Sequence, residues 1–285
     1  FFSLPNAKKY FDENLAYNKT VVNVSKKNFE LELNKKNSII EEKSTDLDEV
    51  FNDIDVFSEN EMSLIHKSAL EVIEKEATLG VLDDSEGWSI GGFLERHPYL
   101  SSLLEDDRIY GIAETLLGSD FILEMTDGHV RGGDTAWHGR DPSKDPSSCP
   151  NKTARIGMYF DELDEHNGCL RVIPGSHKRP FADNLAQLWG QQEDPEYTPF
   201  GVVGTDIPCV YLRSKPGDIV VFTESVYHAS FGGHARLQLT AQFVANPKNE
   251  DQLDEVINNA GTHKWGYHPA RSAINSDKPR VRRMV

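Results

Sequence analysis

The stretch KPGDIVVFTESVYHASFGG, residues 215–233, decides the fold class of this chain. It begins with a Pro-Gly turn, continues into the apolar run of residues 218–222, and ends in a second short strand that carries His228. Short apolar strands bounded by turn-forming residues are typical of antiparallel sandwiches and barrels. In a jelly roll, a histidine on such a strand can meet a second histidine from a distant part of the chain.

The same pattern extends over most of the chain after residue 120. Apolar runs of four to eight residues alternate with Gly, Pro, Asn and Asp, which indicates a mainly β core of the sandwich or barrel type. The runs are FILEM (121–125), RIGMYF (155–160), CLRVI (169–173), CVYL (209–212), DIVVF (218–222) and LQLTAQFV (237–244).

Two helices are predicted ahead of this core. SENE at residues 58–61 fits a capping box, and Met62, Ile65, Ala69 and Val72 then fall on one helical face. A second helix is predicted from Asp107 to Gly118, with an apolar face formed by Ile109, Ile112, Ala113 and Leu116.

One compact catalytic domain is expected. The loop at residues 181–208 contains aromatic residues, Pro and Gly, and both a lid over the barrel and a packed surface loop are open interpretations. The expected parts are an arm at 1–57 with an added strand near 20–24, a helical segment at 58–118, a β core at 119–250 that includes the lid-like loop, and a C-terminal helix and tail at 251–285.

Composition excludes several classes of protein. A net charge of -16 argues against nucleic acid as a partner, because phosphate binding needs clustered Lys and Arg. The sequence has no apolar run of about 18 residues, so no membrane helix is predicted. Three cysteines are too few for a disulfide framework and favour a reducing compartment. We expect a cytoplasmic protein, or an organellar one if a segment ahead of Phe1 was removed.

Two histidines stand in a context that suggests chemistry. His138 lies in DTAWHGRD (134–141), and His228 lies in the stretch quoted first. Two imidazoles and a carboxylate on one face of Fe(II) leave open positions for a co-substrate and O2. Arg236 follows on the next strand and could hold a dicarboxylate through its planar fork, with the Ser230 hydroxyl on the face of His228.

Four segments of the chain resemble the phytanoyl-CoA dioxygenase family of Fe(II)- and 2-oxoglutarate-dependent oxygenases. The resemblance implies a double-stranded β-helix core, cupin-like, with N-terminal helices. It also implies Fe(II), 2-oxoglutarate and O2 as cofactor and co-substrates, and oxidation of a C–H bond in a small-molecule substrate. The outcome would be hydroxylation, desaturation or cyclisation, with release of succinate. The segments are residues 97–121, GGDTAWHGRD (132–141), NGCLRVIPGSHKRPF (167–181) and KPGDIVVFTESVYHASFGG (215–233).

The resemblance also implies roles for individual residues. His138 and His228 would bind iron, and Arg236, Ser230 and Thr135 would bind 2-oxoglutarate. His177 belongs to the fold signature and is not expected to be a ligand, and structural roles are expected for His129 and His234. Three further residues are expected near the substrate: Arg140, Trp137 and Tyr159.

The motif around His138 departs from the family pattern. Family members carry His-x-Asp, whereas this chain has HGRD, with Arg140 at the carboxylate position. We predict that a β-bulge at Gly139–Arg140 brings Asp141 to the iron as the third catalytic ligand, aided by the backbone freedom of Gly139. The alternatives are a carboxylate-free, halogenase-like site and an iron-free jelly-roll binding protein. The identity of the substrate and the oligomeric state stay open.

Overall fold

The computed structural model describes residues 22–25, 50–78, 87–131, 133–139, 152–194, 196–262 and 271–285. Within these ranges the strands are β1 (Val22–Ser25), β2 (Val50–Ile54), β3 (Gly87–Gly91), β4 (Phe121–Arg131), β5 (Thr135–His138), β6 (Thr153–Tyr159), β7 (Leu170–Val172), β8 (Val210–Leu212), β9 (Ile219–Phe222), β10 (His228–Ser230) and β11 (Arg236–Ala245). The α-helices are α1 (Glu59–Thr78), α2 (Pro98–Leu103), α3 (Asp107–Leu117), α4 (Phe181–Asn184), α5 (Gly190–Glu193), α6 (Glu250–Thr262), α7 (Arg271–Ile274) and α8 (Pro279–Met284).

Strands β4 to β11 form a double-stranded β-helix. The major sheet has the order β1-β2-β9-β6-β11-β4-β3, and the minor sheet has the order β5-β10-β7-β8. The chain crosses from one sheet to the other at nearly every step between β4 and β11, which places strands from both ends of the core around one lumen. The predicted mainly β fold with a jelly-roll core and flanking helices is confirmed.

Strand β11 shows how the lumen and the outer core are separated. Its odd-numbered residues Leu237, Leu239, Ala241 and Phe243 belong to the core that lies between the major sheet and the helices. Because side chains alternate along a strand, the intervening polar residues point to the lumen. These are Arg236, Gln238, Thr240 and Gln242.

The predicted capping box begins α1. The backbone N–H of Ser58 donates to the Glu61 carboxylate at 2.8 Å, and the Glu61 backbone N–H lies 3.4 Å from Ser58 Oγ. Met62, Ile65, Ala69 and Val72 are all buried in the main core, as the helical periodicity predicted. The second predicted helix is α3, and it ends at Gly118, whose φ is 87°.

Two further strands extend the major sheet at its edges. The strand predicted near residues 20–24 overlaps β1, which pairs with β2 in parallel. The segment at 58–118, expected to be helical, also contains β3, which pairs with β4. The sequence GWSIG in β3 has no alternating pattern, so pairing with β4 and not local propensity explains this strand.

The segment at residues 181–208 corrects the lid interpretation. It forms short helices and 3-10 turns that pack on the outer face of the minor sheet, away from the lumen. Phe181, Leu185, Leu188 and Ile207 share a buried cluster there with Trp137 from β5. The second interpretation, a packed surface segment, fits this arrangement. None of the described helices is long and apolar enough to cross a membrane.

Candidate active site

Strands β5 and β10 bring the two predicted histidines together. His138 and His228 are register partners in this antiparallel pair, and their ring centroids are 4.0 Å apart. Phe222 of the major sheet contacts the ring of His228 at 4.9 Å between centroids, so the pair faces the lumen. Two imidazoles this close can bind one metal ion, since each metal–nitrogen bond is about 2.0–2.1 Å long.

Both rings are oriented in the same way. The Nδ1 atom of His138 lies 2.8 Å from the carbonyl of Ala136, and Nδ1 of His228 lies 2.8 Å from the carbonyl of Val226. A carbonyl only accepts, so each Nδ1 carries the proton and each Nε2 keeps a lone pair for a metal. Burial, and then the neighbouring His138, hold the pKa of His228 well below its ordinary value of 6.5, so this ring is neutral at neutral pH.

A β-bulge lies inside β5. The register runs from His228–His138 to Ser230–Thr135, so three steps along β5 match two along β10. One extra residue in a strand shifts the side-chain alternation. Thr135 and His138 therefore both face β10 on the lumen side, although they are three positions apart.

Gly139 lies at a close approach between two segments of the chain. Its φ does not lie in the left-handed region. A Cβ atom at this position would lie 2.8 Å from Cα and 2.9 Å from the backbone N of Tyr227. Glycine is required because the chain after His138 passes directly over the chain before His228, and this close approach locks the two ligand-bearing strands together.

Arg236 and Ser230 lie together at the other end of the ligand strands. Arg236 is buried, and its Nη2 donates to Ser230 Oγ at 2.7 Å, while Ser230 Oγ donates to the Gly168 carbonyl at 2.9 Å. The Nε and Nη1 atoms of Arg236 are buried and have no hydrogen-bond partner among the described residues. Leaving donors of a buried cation unsatisfied is costly, and an anion is the kind of group that would satisfy them.

Two glycines make room for the guanidinium. A Cβ on Gly233 would fall 1.8 Å from Arg236 Nη1, and a Cβ on Gly168 would lie 3.0 Å from the same atom. Gly168 also has a φ of 97°, which disfavours any other residue. Both glycines belong to the segments that carried the resemblance, and their function here is to admit the Arg236 side chain.

The remaining predicted residues fall into two groups. Thr135 lies opposite Ser230, and Tyr159 lies on the lumen wall of β6 opposite Gln238. Trp137, expected near the substrate, is a correction: it points to the outer face of the minor sheet, is fully buried, and donates to the Gly204 carbonyl at 2.8 Å. Trp137 adjoins His138 in sequence, but neighbours on a strand point to opposite faces.

Arg140 and Asp141, on which the third ligand depends, lie outside the described residues. Within the described ranges, no group of three or more His, Cys, Asp and Glu side chains is placed to hold a metal. The bulge predicted at Gly139–Arg140 and the role of Asp141 therefore stay predictions.

A polar network lines the lumen wall, and the sequence analysis missed most of it. Asp127 Oδ1 lies 2.7 Å from His129 Nδ1, the other ring nitrogen of His129 contacts Gln238 Oε1, and Gln238 Nε2 donates to the Tyr159 hydroxyl at 2.9 Å. His129 is thus a fully hydrogen-bonded residue, in agreement with the structural role expected for it. The signal was the alternation of polar residues along β4 and β11, which are buried strands.

Arg155 closes this network towards the histidines. Its Nη2 donates to Asp127 Oδ2 at 2.8 Å, and its Nη1 donates to Gln242 Oε1 at 3.0 Å and to the Glu224 carboxylate. Although burial alone raises the pKa of Asp127, the guanidinium of Arg155 and the ring of His129 hold it well below its ordinary value of 3.8. The network is therefore charged and internally paired.

The lumen geometry agrees with the comparison to known proteins. The sequence profile described as phytanoyl-CoA dioxygenase (PhyH) matches residues 89–235, which is more than half of the 285 residues. The chain belongs to the phytanoyl-CoA dioxygenase family. The resemblance identified from the sequence is confirmed, and the match contains β4 to β10 with both histidines.

Two curated relatives match parts of this chain at modest sequence identity. Ectoine dioxygenase from Sphingopyxis alaskensis is 24% identical over 199 residues, covering 62% of this chain and 65% of that protein. The peroxisomal phytanoyl-CoA dioxygenase of Rattus norvegicus is 32% identical over 71 residues, covering 25% of this chain and 21% of that protein. The chain thus spans less than two thirds of the length of these curated relatives.

Solved structures share the fold of this family member. HygX from Streptomyces hygroscopicus, crystallised with nickel and 2-oxoglutarate bound, has a TM-score of 0.55 and 18% identity, covering 71% of this chain and 88% of that one. At this identity the likeness supports the jelly-roll fold alone.

Proposed function

We propose that this protein is an Fe(II)- and 2-oxoglutarate-dependent dioxygenase that oxidises a small-molecule substrate. The observation that carries the proposal is the pairing of two features in one lumen. His138 and His228 offer two Nε2 lone pairs side by side, and Arg236 offers two buried donor atoms that no described residue pairs with. A metal at the two histidines and a dicarboxylate at Arg236 would satisfy both features.

The donor set fits the implied groups. Neutral imidazole nitrogens are good ligands for Fe(II), and the 2-His-1-carboxylate set is typical of non-haem iron oxygenases. Asp141 is proposed as the third ligand. When bound, Fe(II) and 2-oxoglutarate supply the oxidising chemistry, in which O2 converts 2-oxoglutarate to succinate and CO2 while a C–H bond is oxidised.

The residues of the chain then have distinct tasks. The carbonyls of Ala136 and Val226 keep the two Nδ1 protons in place, so that each Nε2 stays unprotonated. Arg236 would hold the far carboxylate of 2-oxoglutarate, Ser230 would align the guanidinium by accepting from Nη2, and Thr135, opposite Ser230, would be a further contact. By orienting the dicarboxylate, these residues would lower the entropy cost of the reaction.

The primary substrate is proposed to be a small molecule bound at the polar side of the lumen. Tyr159 and Arg140 are the proposed substrate contacts. Arg155 forms salt bridges with Asp127 and Glu224. Its guanidinium therefore balances their charge and is not proposed as a substrate contact. Hydroxylation, desaturation and cyclisation are all open to this site.

A binding experiment tests the proposal before the substrate is known. Mn(II), a redox-inert stand-in for Fe(II), is added to the metal-free protein, and 2-oxoglutarate binding is measured by calorimetry. We expect binding of one 2-oxoglutarate per chain that requires the metal. An iron-free binding protein would take up 2-oxoglutarate equally with and without Mn(II), or not at all, and either result would contradict the proposal.

A further inference from the structure

The strand that carries His138 is held from outside its sheet. Strand β5 has only four residues, contains the bulge, and lies at the edge of the minor sheet with β10 as its sole described strand neighbour. An edge strand leaves one row of backbone groups without strand partners. A short, bulged edge strand is a weak support for a metal ligand unless another group binds its outer edge.

The Gln192 side chain supplies that group. Its Nε2 donates to the carbonyl of Ala136 at 3.0 Å and to the carbonyl of Trp137 at 3.3 Å. Two carbonyl acceptors fix the orientation of the amide, because Oε1 in that place would face two oxygens. Gln192 belongs to α5, within the segment at residues 181–208, so that segment reaches around the edge of the sheet to β5.

The carbonyl of Ala136 joins Gln192 to the metal ligand. It accepts from Gln192 Nε2 and also from His138 Nδ1, at 2.8 Å. A carbonyl oxygen has two lone pairs, so both bonds can form together. The position of this oxygen sets the tilt of the His138 ring and keeps its proton on Nδ1, as partners of metal-bound histidines commonly do.

The second histidine is held differently. Its supporting chain is fixed by buried groups: the Tyr227 backbone N–H donates to Ser176 Oγ at 2.7 Å, and Ser176 is fully buried. Gln192 is exposed, and the bond to Ala136 lies at the surface. The ligand on the edge strand therefore depends on a side chain from a separate segment, whereas His228 depends on the jelly-roll interior.

We propose that Gln192 is a positioning residue for His138, acting through the Ala136 carbonyl. The inference rests on the proposed function, since it requires a metal at His138 and His228. Two contacts therefore link the segment at residues 181–208 to β5. Trp137 Nε1 donates to the Gly204 carbonyl, and Gln192 Nε2 donates to the Ala136 carbonyl that orients His138.

The test is the affinity of the metal-free protein for Co(II), followed by its visible absorption, in wild type and in Gln192→Ala and Gln192→Glu. The glutamate variant keeps the shape but replaces the donor by an acceptor. Loss of a hydrogen-bond partner of a metal-bound histidine lowers metal affinity by about 10–100-fold. Gln192 acts one hydrogen bond further from the metal, so we expect its loss to lower Co(II) affinity by about 3–10-fold. The absorption maximum of bound Co(II) should shift, while the thermal unfolding midpoint of the metal-free protein stays at the wild-type value.

Two further variants complete the design. Gln192→Lys restores a donor of similar length and should recover most of the affinity, and Gln187→Ala, at an exposed position of the same segment, should leave it unchanged. Wild-type Co(II) affinity and spectrum in both Gln192→Ala and Gln192→Glu would overturn the inference. The inference would also be overturned if Co(II) affinity fell together with the thermal unfolding midpoint and Gln192→Lys did not restore the affinity. If the wild-type protein itself bound no Co(II), the proposed function would be contradicted together with the role of Gln192. This outcome is distinct from one in which only the Gln192 variants behave unexpectedly.

Discussion

Arg236 donates from Nη2 to Ser230 Oγ at 2.7 Å, which joins the first residue of β11 to the last residue of β10 across the lumen. The serine occupies one donor of the guanidinium and aligns it, while Nε and Nη1 are buried and have no partner within the described ranges. The pair is the part of the site most directly shaped for a ligand.

Replacing Arg236 by alanine should weaken 2-oxoglutarate binding. Removing one member of a buried charge pair costs on the order of 2–5 kcal/mol, which corresponds to one or more decades in affinity. Calorimetric titration of 2-oxoglutarate in the presence of Mn(II) measures the effect, and Mn(II) affinity without 2-oxoglutarate serves as the control. Wild-type 2-oxoglutarate affinity in the variant would remove Arg236 from the site.

Gly233→Ala should imitate that loss while Arg236 is retained. The added Cβ would fall 1.8 Å from Nη1, so the guanidinium has to leave its place. We expect 2-oxoglutarate affinity to fall by about tenfold, as for a misplaced charged hydrogen bond, with metal affinity unchanged. An unchanged 2-oxoglutarate affinity would mean that the exact place of the guanidinium is unimportant for the ligand.

Asp127 predicts a pH dependence of stability. Its folded pKa lies below the ordinary value of 3.8, so the unfolded chain binds this proton more readily than the folded protein does. The contribution of Asp127 is complete above that value and is lost as the pH falls through the folded pKa. Between pH 5 and pH 2 the free energy of unfolding should therefore fall less steeply in Asp127→Asn than in wild type. Equal slopes in urea denaturation would show that the Arg155–Asp127 pair does not control acid stability.

Asp141→Ala tests the third ligand. If Asp141 binds the metal, the variant should lose metal affinity by at least tenfold, since only two of three protein ligands remain. Addition of chloride should then restore part of the metal binding if the vacant position accepts a halide. Full affinity in Asp141→Ala without chloride would contradict the bulge at Gly139–Arg140 and favour the carboxylate-free alternative.

The sequence predicted the features that follow from local pattern. Short apolar runs predicted the strands of the core, and the capping box at Ser58 and Glu61 predicted the start of α1. His138, His228 and Arg236 were singled out because each lies in a short stretch that can be recognised in the sequence. The jelly roll brings these stretches to one lumen.

What the sequence did not predict depends on pairing between strands. The bulge inside β5 was not predicted from the sequence, and it places Thr135 on the same face as His138. The hydrogen bonds of Asp127, His129 and Gln238 join two strands that are distant in sequence. In the sequence alone these polar residues resemble solvent-facing positions, because their burial depends on the register between the strands. The packing of residues 181–208 was open for the same reason, because its apolar partners lie on β5 and β10.

The most direct test of the account is the visible absorption of the protein when Fe(II) and 2-oxoglutarate are added without O2. Chelation of Fe(II) by 2-oxoglutarate gives a weak metal-to-ligand charge-transfer band, so the band reports both groups in one site. We predict this band in wild type and in His177→Ala, and its loss in His138→Ala and His228→Ala. Absence of the band in wild type, or its persistence without His228, would contradict an iron and 2-oxoglutarate site built on His138, His228 and Arg236.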